Sequence, residues 1–98
     1  MIKLVLFHPM ADLELNEAAA YYESSEIGLG DAFIIEVERV VKLISQNPES
    51  APVILKSVRR KILWRFPYSL LYSIYGNTIR ILAVANQKRR PFYWRSRK

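Results

Sequence analysis

Residues 68–85 read YSLLYSIYGNTIRILAVA, two mostly apolar runs joined by a glycine and an asparagine. β-Branched and aromatic side chains dominate both runs, which is typical of strands. Gly76 and Asn77 supply the two-residue turn that joins antiparallel strands. The stretch therefore predicts a β-hairpin. Alternation along its second strand predicts two faces, with Ile79, Ile81 and Ala83 opposite Arg80, Leu82 and Val84.

Two further strands are predicted on the N-terminal side of this hairpin. Residues 53–66 alternate late in the run, so that Arg60, Ile62 and Trp64 share a face. Pro67 interrupts that strand and keeps the preceding residue extended. Residues 2–7 form a short β-branched and aromatic run that ends at His8.

The segment between the first two strands has helical periodicity. A first apolar face recurs at helical spacing and comprises Ala11, Leu15, Ala18 and Tyr22. Gly28 and Gly30 allow a tight reversal, after which Asp31 is predicted to cap a second helix. The second apolar face comprises Phe33, Val37, Val40, Val41 and Ile44, with Glu36, Glu38, Arg39 and Lys42 directed elsewhere. So short a turn predicts an antiparallel helical hairpin.

The predicted fold is α+β, in the order β-α-α-β-β-β with a basic C-terminal tail. The helical hairpin packs on one face of a mainly antiparallel four-stranded sheet. The 98 residues, of which 51% are hydrophobic, suit one domain spanning residues 1–98.

The charges are segregated along the chain. Residues 1–52 hold all nine carboxylates and three basic residues, whereas residues 53–98 hold twelve basic residues and no carboxylate. The net charge of +6 therefore has a direction, and such a field favours a polyanion or an acidic partner peptide.

Several chemistries lack support in the sequence. There is no cysteine, and His8 is the only histidine, so we expect neither a metal site nor a cofactor. Glu14, Glu17 and Glu23 read as a solvated helix face. No glycine-rich phosphate loop occurs. No apolar run approaches the roughly 20 residues needed to cross a bilayer, and the N-terminal apolar run is too short for a signal peptide. We therefore expect a cytoplasmic protein without a membrane partner.

Cationic and aromatic side chains remain as the candidates for function. Arginine binds phosphate bidentately and aromatic rings stack on bases, so both a ribonuclease and a binding protein stay open. Residues 91–94 are predicted to pack against the sheet and present Arg89, Arg90 and Arg95. The candidate binding residues are Arg59, Arg60, Lys61, Arg65, Arg80, Lys88, Arg89, Arg90, Tyr93, Trp94 and Arg95.

Three stretches together resemble the RelE/ParE superfamily of type II toxin–antitoxin toxins, most of all its ParE-like, plasmid-stabilisation branch. Residues 60–74 read RKILWRFPYSLLYSI, and residues 81–97 read ILAVANQKRRPFYWRSR. The helical hairpin contributes AAAYY at residues 18–22 and AFIIEV at residues 32–37. The resemblance covers nearly the whole chain in the family's order.

The resemblance implies a growth-inhibiting toxin held inactive by a cognate antitoxin with a flexible, acidic segment. ParE-like members inhibit DNA gyrase by binding, whereas RelE-like members cut mRNA on the ribosome. For a nuclease, the implied catalytic residues are Arg65, Arg80, Arg89 and Tyr93.

Two departures from the nuclease pattern favour the binding mode. Ser69 stands where that branch has an arginine, and Asn86 stands where the ending usually has histidine. Asn86 is expected to make a structural contact, because an amide does not titrate near neutral pH. Three functions stay open: a gyrase-binding toxin, an mRNA endoribonuclease, and an inactive homologue kept as an antitoxin-binding or regulatory partner. A homodimer is compatible with each.

Overall fold

The structure is a computed structural model that describes residues 4–97. Residues 2 and 3 of the predicted first strand therefore lie outside the described residues. Two helices pack on one face of a single sheet whose strand order is β1-β5-β4-β3-β2. The elements are β1 (Leu4–Phe7), α1 (Pro9–Ser25), α2 (Leu29–Gln46), β2 (Val53–Leu55), β3 (Val58–Ile62), β4 (Tyr68–Tyr75) and β5 (Thr78–Asn86).

The predicted α+β class is confirmed, but the sheet has five strands rather than four. The predicted strand over residues 53–66 is broken at Lys56, whose positive φ of 51° turns the chain. β2 and β3 pair antiparallel on either side of that turn, and β3 ends at Ile62. The β1–β5 pair is parallel and the other pairs are antiparallel. Neither described helix is long and apolar enough to span a membrane.

The two helices bury the faces that their periodicity predicts. α1 buries Ala11 and Ala18, and α2 buries its apolar stripe from Phe33 to Ile44. At the start of α1, the Nδ1 atom of His8 accepts a hydrogen bond from the backbone N–H of Met10 at 3.0 Å. This contact satisfies one of the free amides of the first turn.

The predicted cap of α2 is wrong. The helix begins at Leu29, and Asp31 lies inside its first turn. The carboxylate of Glu23, at the end of α1, accepts hydrogen bonds from the backbone N–H groups of Gly28 and Gly30 instead. A carboxylate from the neighbouring helix thus satisfies the amides at the positive end of the α2 dipole.

Glu36, which lies outside the predicted apolar face of α2, is nevertheless buried. Its carboxylate forms a two-pronged pair with Arg39, at 2.7 and 2.9 Å, and accepts the backbone N–H of Trp64. These contacts lower the pKa of Glu36, chiefly through the hydrogen bond from Arg39. Glu36 therefore fixes the start of the β3–β4 connection, at Trp64, against α2.

The predicted faces of β5 hold only as far as Ile81. The pairing with β4 shifts there, from Tyr72 opposite Ile81 to Leu71 opposite Ala83, so β5 contains a bulge at Leu82. A bulge exchanges the faces of the residues that follow it. Val84 therefore joins Ile81 in the core beneath the helices, and Ala83 lies on the opposite face.

The sheet face away from the helices, called the open face below, carries a second, smaller core. Leu71, Ala83 and Ala85 form its floor, and Trp94 covers them. Trp94 belongs to residues 87–97, called the C-terminal arm below, and only 4% of its surface is exposed. The predicted packing of this segment against the sheet is confirmed for Trp94.

Candidate functional site: a cationic cleft beneath the C-terminal arm

A cleft of about 420 Å³ lies between the C-terminal arm and the open face. Leu71, Ala85 and Trp94 make its floor apolar, and none of its described lining residues is a carboxylate. Its cationic lining residues are Arg60, Arg89 and Arg90. We call it the cationic cleft. A concave surface of one charge concentrates the field that attracts anionic groups.

The guanidinium groups reach this cleft from two parts of the chain. Arg60 is supplied by β3, whereas Arg89 and Arg90 follow β5 in a turn that is closed by the Arg89 N–H and the Asn86 carbonyl at 3.0 Å. All three arginines are solvent-exposed. They can therefore contact a partner while the floor beneath them stays packed.

The C-terminal arm is anchored at the edge of β5 that β1 leaves unpaired. β1 pairs with β5 only as far as Ile81. Beyond that point the Leu82 carbonyl accepts a hydrogen bond from Arg97 at 3.0 Å, and the Val84 N–H donates to Glu14 at 3.0 Å. An uncovered strand edge needs such partners when it is buried. Side chains of the arm and of α1 thus satisfy the backbone groups that this edge of β5 leaves without a neighbouring strand.

Glu14 is the centre of that anchor. Its carboxylate receives both terminal nitrogens of Arg97, at 2.8 and 2.9 Å, and the hydroxyl of Tyr93 at 2.7 Å. The side chains of Glu14 and Arg97 are each only 10% exposed. Arg89 is more distant, 3.9 Å from the same carboxylate. One carboxylate on α1 thus holds two side chains of the arm.

Tyr93 is enclosed by these groups. The guanidinium of Arg89 lies 3.9 Å from its ring centre and that of Arg97 lies 5.1 Å away. Burial, followed by the hydrogen bond to Glu14, raises the pKa of Tyr93 well above its ordinary value. The phenol is therefore protonated at physiological pH and its proton is engaged by Glu14.

The structure divides the cationic and aromatic residues singled out in the sequence. Arg60, Arg89, Arg90, Tyr93 and Trp94 line the cationic cleft. The remaining residues do not line it: Arg59, Lys61, Arg65, Arg80, Lys88 and Arg95.

Three of the residues outside the cleft have distinct surroundings. Arg59 of β3 donates to the carbonyls of Glu49 and Ala51, so it ties β3 to the segment between α2 and β2. Arg65 lies 5.2 Å from the ring centre of Phe66. Arg80 is on β5 opposite Leu6 of β1. Of the four residues implied for a nuclease, the cleft brings together only Arg89 and Tyr93.

The two positions that depart from the nuclease pattern both lie at the cleft. Ser69 is buried on β4 and lines the cleft with a neutral hydroxyl. Asn86 uses its side-chain oxygen to accept the backbone N–H of Lys88 at 2.8 Å, which is the structural contact expected for it. Within residues 4–97 no group of three or more histidine, aspartate or glutamate side chains could hold a metal ion.

Sequence reasoning missed the roles of Glu14 and Glu23, which it assigned to a solvated helix face. Glu14 is 70 residues from Val84 and 83 from Arg97, so no local spacing could reveal their contact. A usable signal was the charge segregation, because a carboxylate on α1 is among the few anions that could pair with the basic tail.

Comparison with solved structures gives an informative likeness. No family model matches the chain, and no curated protein matches it. A structure search finds similarity to a chain of the solved "Chromosomal ParDE TA system from P. aeruginosa", with a TM-score of 0.62 at 20% identity. The match covers 88% of this chain and 96% of that chain. The two chains share a fold, which confirms the ParE-like fold expected from the resemblance.

Proposed function

We propose that this chain is the toxin of a type II toxin–antitoxin system, that it inhibits growth by binding its target, and that the target is DNA gyrase. A cognate antitoxin neutralises it in the cytoplasm. The proposal is supported by the fold that it shares with a chain of a ParDE system over 88% of its length. Because one fold can serve many functions, the site has to supply the rest of the argument.

The lining of the cationic cleft suits the binding of an antitoxin peptide. Arg60, Arg89 and Arg90 lie around an apolar floor formed in part by Trp94. An extended peptide with alternating apolar and acidic side chains would fill the floor and pair with the arginines. Buried aromatic and arginine side chains are the commonest anchors of protein interfaces. Such a peptide would also stabilise the arm by binding only the folded state.

The hydrogen bond from the Tyr93 hydroxyl to Glu14 is the observation that carries the case for binding over RNA cleavage. General acid–base catalysis needs a group whose pKa lies near the working pH and whose proton can reach the substrate. The pKa of Tyr93 is raised, and its hydroxyl donates to Glu14. Ser69 supplies no charge to the cleft, and Asn86 has no proton to exchange near pH 7.

An mRNA endoribonuclease is the second candidate. The proximity of Arg89 to the Tyr93 ring, 3.9 Å from guanidinium carbon to ring centre, favours it. In that case Arg89 would stabilise the charge that develops on phosphate, and Tyr93 would first have to leave Glu14. Arg65 and Arg80 would have to approach the cleft from outside it.

The test is a DNA supercoiling assay with purified gyrase and the purified chain. The cleft variant carries Arg60→Ala and Arg90→Ala, and the control carries Lys42→Ala, which removes an exposed charge from α2. We expect the wild-type chain and the control to inhibit supercoiling. We infer that gyrase contacts the same cationic cleft as the antitoxin. The cleft variant should then need at least about tenfold more protein, since loss of an interfacial arginine costs about 1–2 kcal/mol.

The same preparations are incubated with mRNA, with and without ribosomes. Equal inhibition of gyrase by the cleft variant and the control would mean that gyrase contacts a surface other than the cationic cleft. Absence of inhibition together with cut mRNA would replace the proposal by the nuclease. Absence of both effects from a folded chain would favour an inactive homologue.

A further inference from the structure

The surroundings of Glu14 have the chemistry of an anion-binding site. Two nitrogens of Arg97, the hydroxyl of Tyr93 and the backbone N–H of Val84 all donate to its two carboxylate oxygens, at 2.7–3.0 Å. The paired fork of a guanidinium with a carboxylate is among the strongest and most directional of charged hydrogen bonds. The donors come from β5 and the C-terminal arm, and the acceptor comes from α1.

This site is buried, so the fold is stable only when an anion occupies it. Arg97 and Glu14 are each nine-tenths buried. A buried ion pair is costly to assemble, but removing one partner is costlier, because the other charge is left without compensation. An empty site would leave the Arg97 guanidinium without its anion and the Val84 N–H without an acceptor. The donors therefore require an anion whenever the arm is closed.

We propose that Arg97, Tyr93 and the Val84 N–H form a carboxylate-binding site, that Glu14 is its internal ligand, and that this occupancy holds the C-terminal arm closed over the open face. Closure keeps Trp94 on its small core and keeps Arg89 and Arg90 beside the cationic cleft. Glu14 is thus a positioning residue for the cleft, which it does not line. The inference concerns the chain's own folding and stands independently of the target.

The first test measures the closure of the arm. The protein carries Trp64→Phe, which removes the tryptophan that is 75% exposed and leaves Trp94 as the only tryptophan, which is excited selectively over tyrosine. Glu14→Ala is compared with Glu17→Ala, an exposed carboxylate of the same helix. We expect Glu14→Ala to shift Trp94 emission to longer wavelength, increase its quenching by acrylamide, and lower the melting temperature by more than about 10 °C. Glu17→Ala should leave all three unchanged.

The second test asks whether the site binds a carboxylate in its own right. Glu14→Ala removes a CH₂–CO₂⁻ group, which acetate replaces in size and charge. For a dissociation constant of about 10 mM, 100 mM acetate should raise the melting temperature of Glu14→Ala by about 5–10 °C over chloride at equal ionic strength. Acetate should also restore the emission of Trp94. It should do neither in the wild-type chain or in the double variant Glu14→Ala/Arg97→Ala.

Each result bears on the inference. Unchanged Trp94 emission and quenching in Glu14→Ala would overturn the closure of the arm. Equal effects of acetate and chloride, or equal rescue of the double variant, would overturn the binding site. If Glu14→Ala does not fold, Glu14→Gln keeps one acceptor oxygen, and the same increase in Trp94 quenching is expected in smaller degree. These readouts do not use gyrase or growth, so they stand or fall separately from the proposed function.

Discussion

Replacing Trp94 with alanine should destabilise the protein far more than the same change at Trp64. Trp94 is 4% exposed and covers the small core of Leu71, Ala83 and Ala85, whereas Trp64 is 75% exposed. Burying about 200 Å² of tryptophan surface at about 25 cal/mol per Å² contributes about 5 kcal/mol as an upper estimate. Measured losses for buried Trp→Ala changes are about 3–5 kcal/mol. We therefore expect Trp94→Ala to lower the free energy of unfolding by at least about 3 kcal/mol.

Trp64→Ala is the matched control, because the chemical change is identical. Its ring lies 5.6 Å from the guanidinium carbon of Arg39, an exposed cation–π contact that solvent weakens. Urea unfolding followed by far-ultraviolet circular dichroism measures both losses without relying on tryptophan emission. A difference between the two variants of less than about 1 kcal/mol would refute the reasoning, since it would mean that the arm adds no core to the open face.

Two further changes probe the helical layer. The pKa of Glu36 is lowered from its ordinary value of 4.5, chiefly by the hydrogen bond from Arg39. The carboxylate therefore adds stability that is full above the unfolded pKa and is lost as pH falls through the lower folded pKa. The advantage of wild type over Glu36→Gln in urea unfolding should be full at pH 6 and shrink towards pH 3; an advantage independent of pH would contradict this. Gly30→Ala places a Cβ atom 2.6 Å from the Ala19 carbonyl oxygen and should cost about 1–3 kcal/mol, so an unchanged melting temperature would disprove the tight helix approach.

The elements that follow from local chemistry were predictable from the sequence. The two helices, their place after the first strand and the β4–β5 hairpin at Gly76 follow from periodicity and turn residues. The turn at Lys56 that separates β2 from β3 was missed. The bulge at Leu82 was not predictable, because alternation assumes an uninterrupted ladder. The bulge nevertheless decides which side chains are packed under the helices, because it places Val84 in that core and Ala83 on the floor of the second core.

The chemical character of the candidate site was predictable from the sequence, but the residues that line it were not. Segregated charge and the PFYW segment indicated a basic surface with packed aromatics, and the cleft contains Arg60, Arg89 and Arg90. Sequence reasoning could not separate these from Arg59, whose guanidinium is engaged by backbone carbonyls. Contacts across 70 or more residues, such as those of Glu14, depend on tertiary packing.

The most direct test of the account is induced expression in a bacterial host, with growth and pulse-labelled translation followed together. We predict that growth stops and cells filament while translation continues through the first minutes, and that co-expression of the cognate antitoxin restores growth. Arrest of translation within minutes, with cut mRNA, would contradict binding as the mode of action. Unchanged growth in cells that contain the folded chain would contradict its role as a toxin.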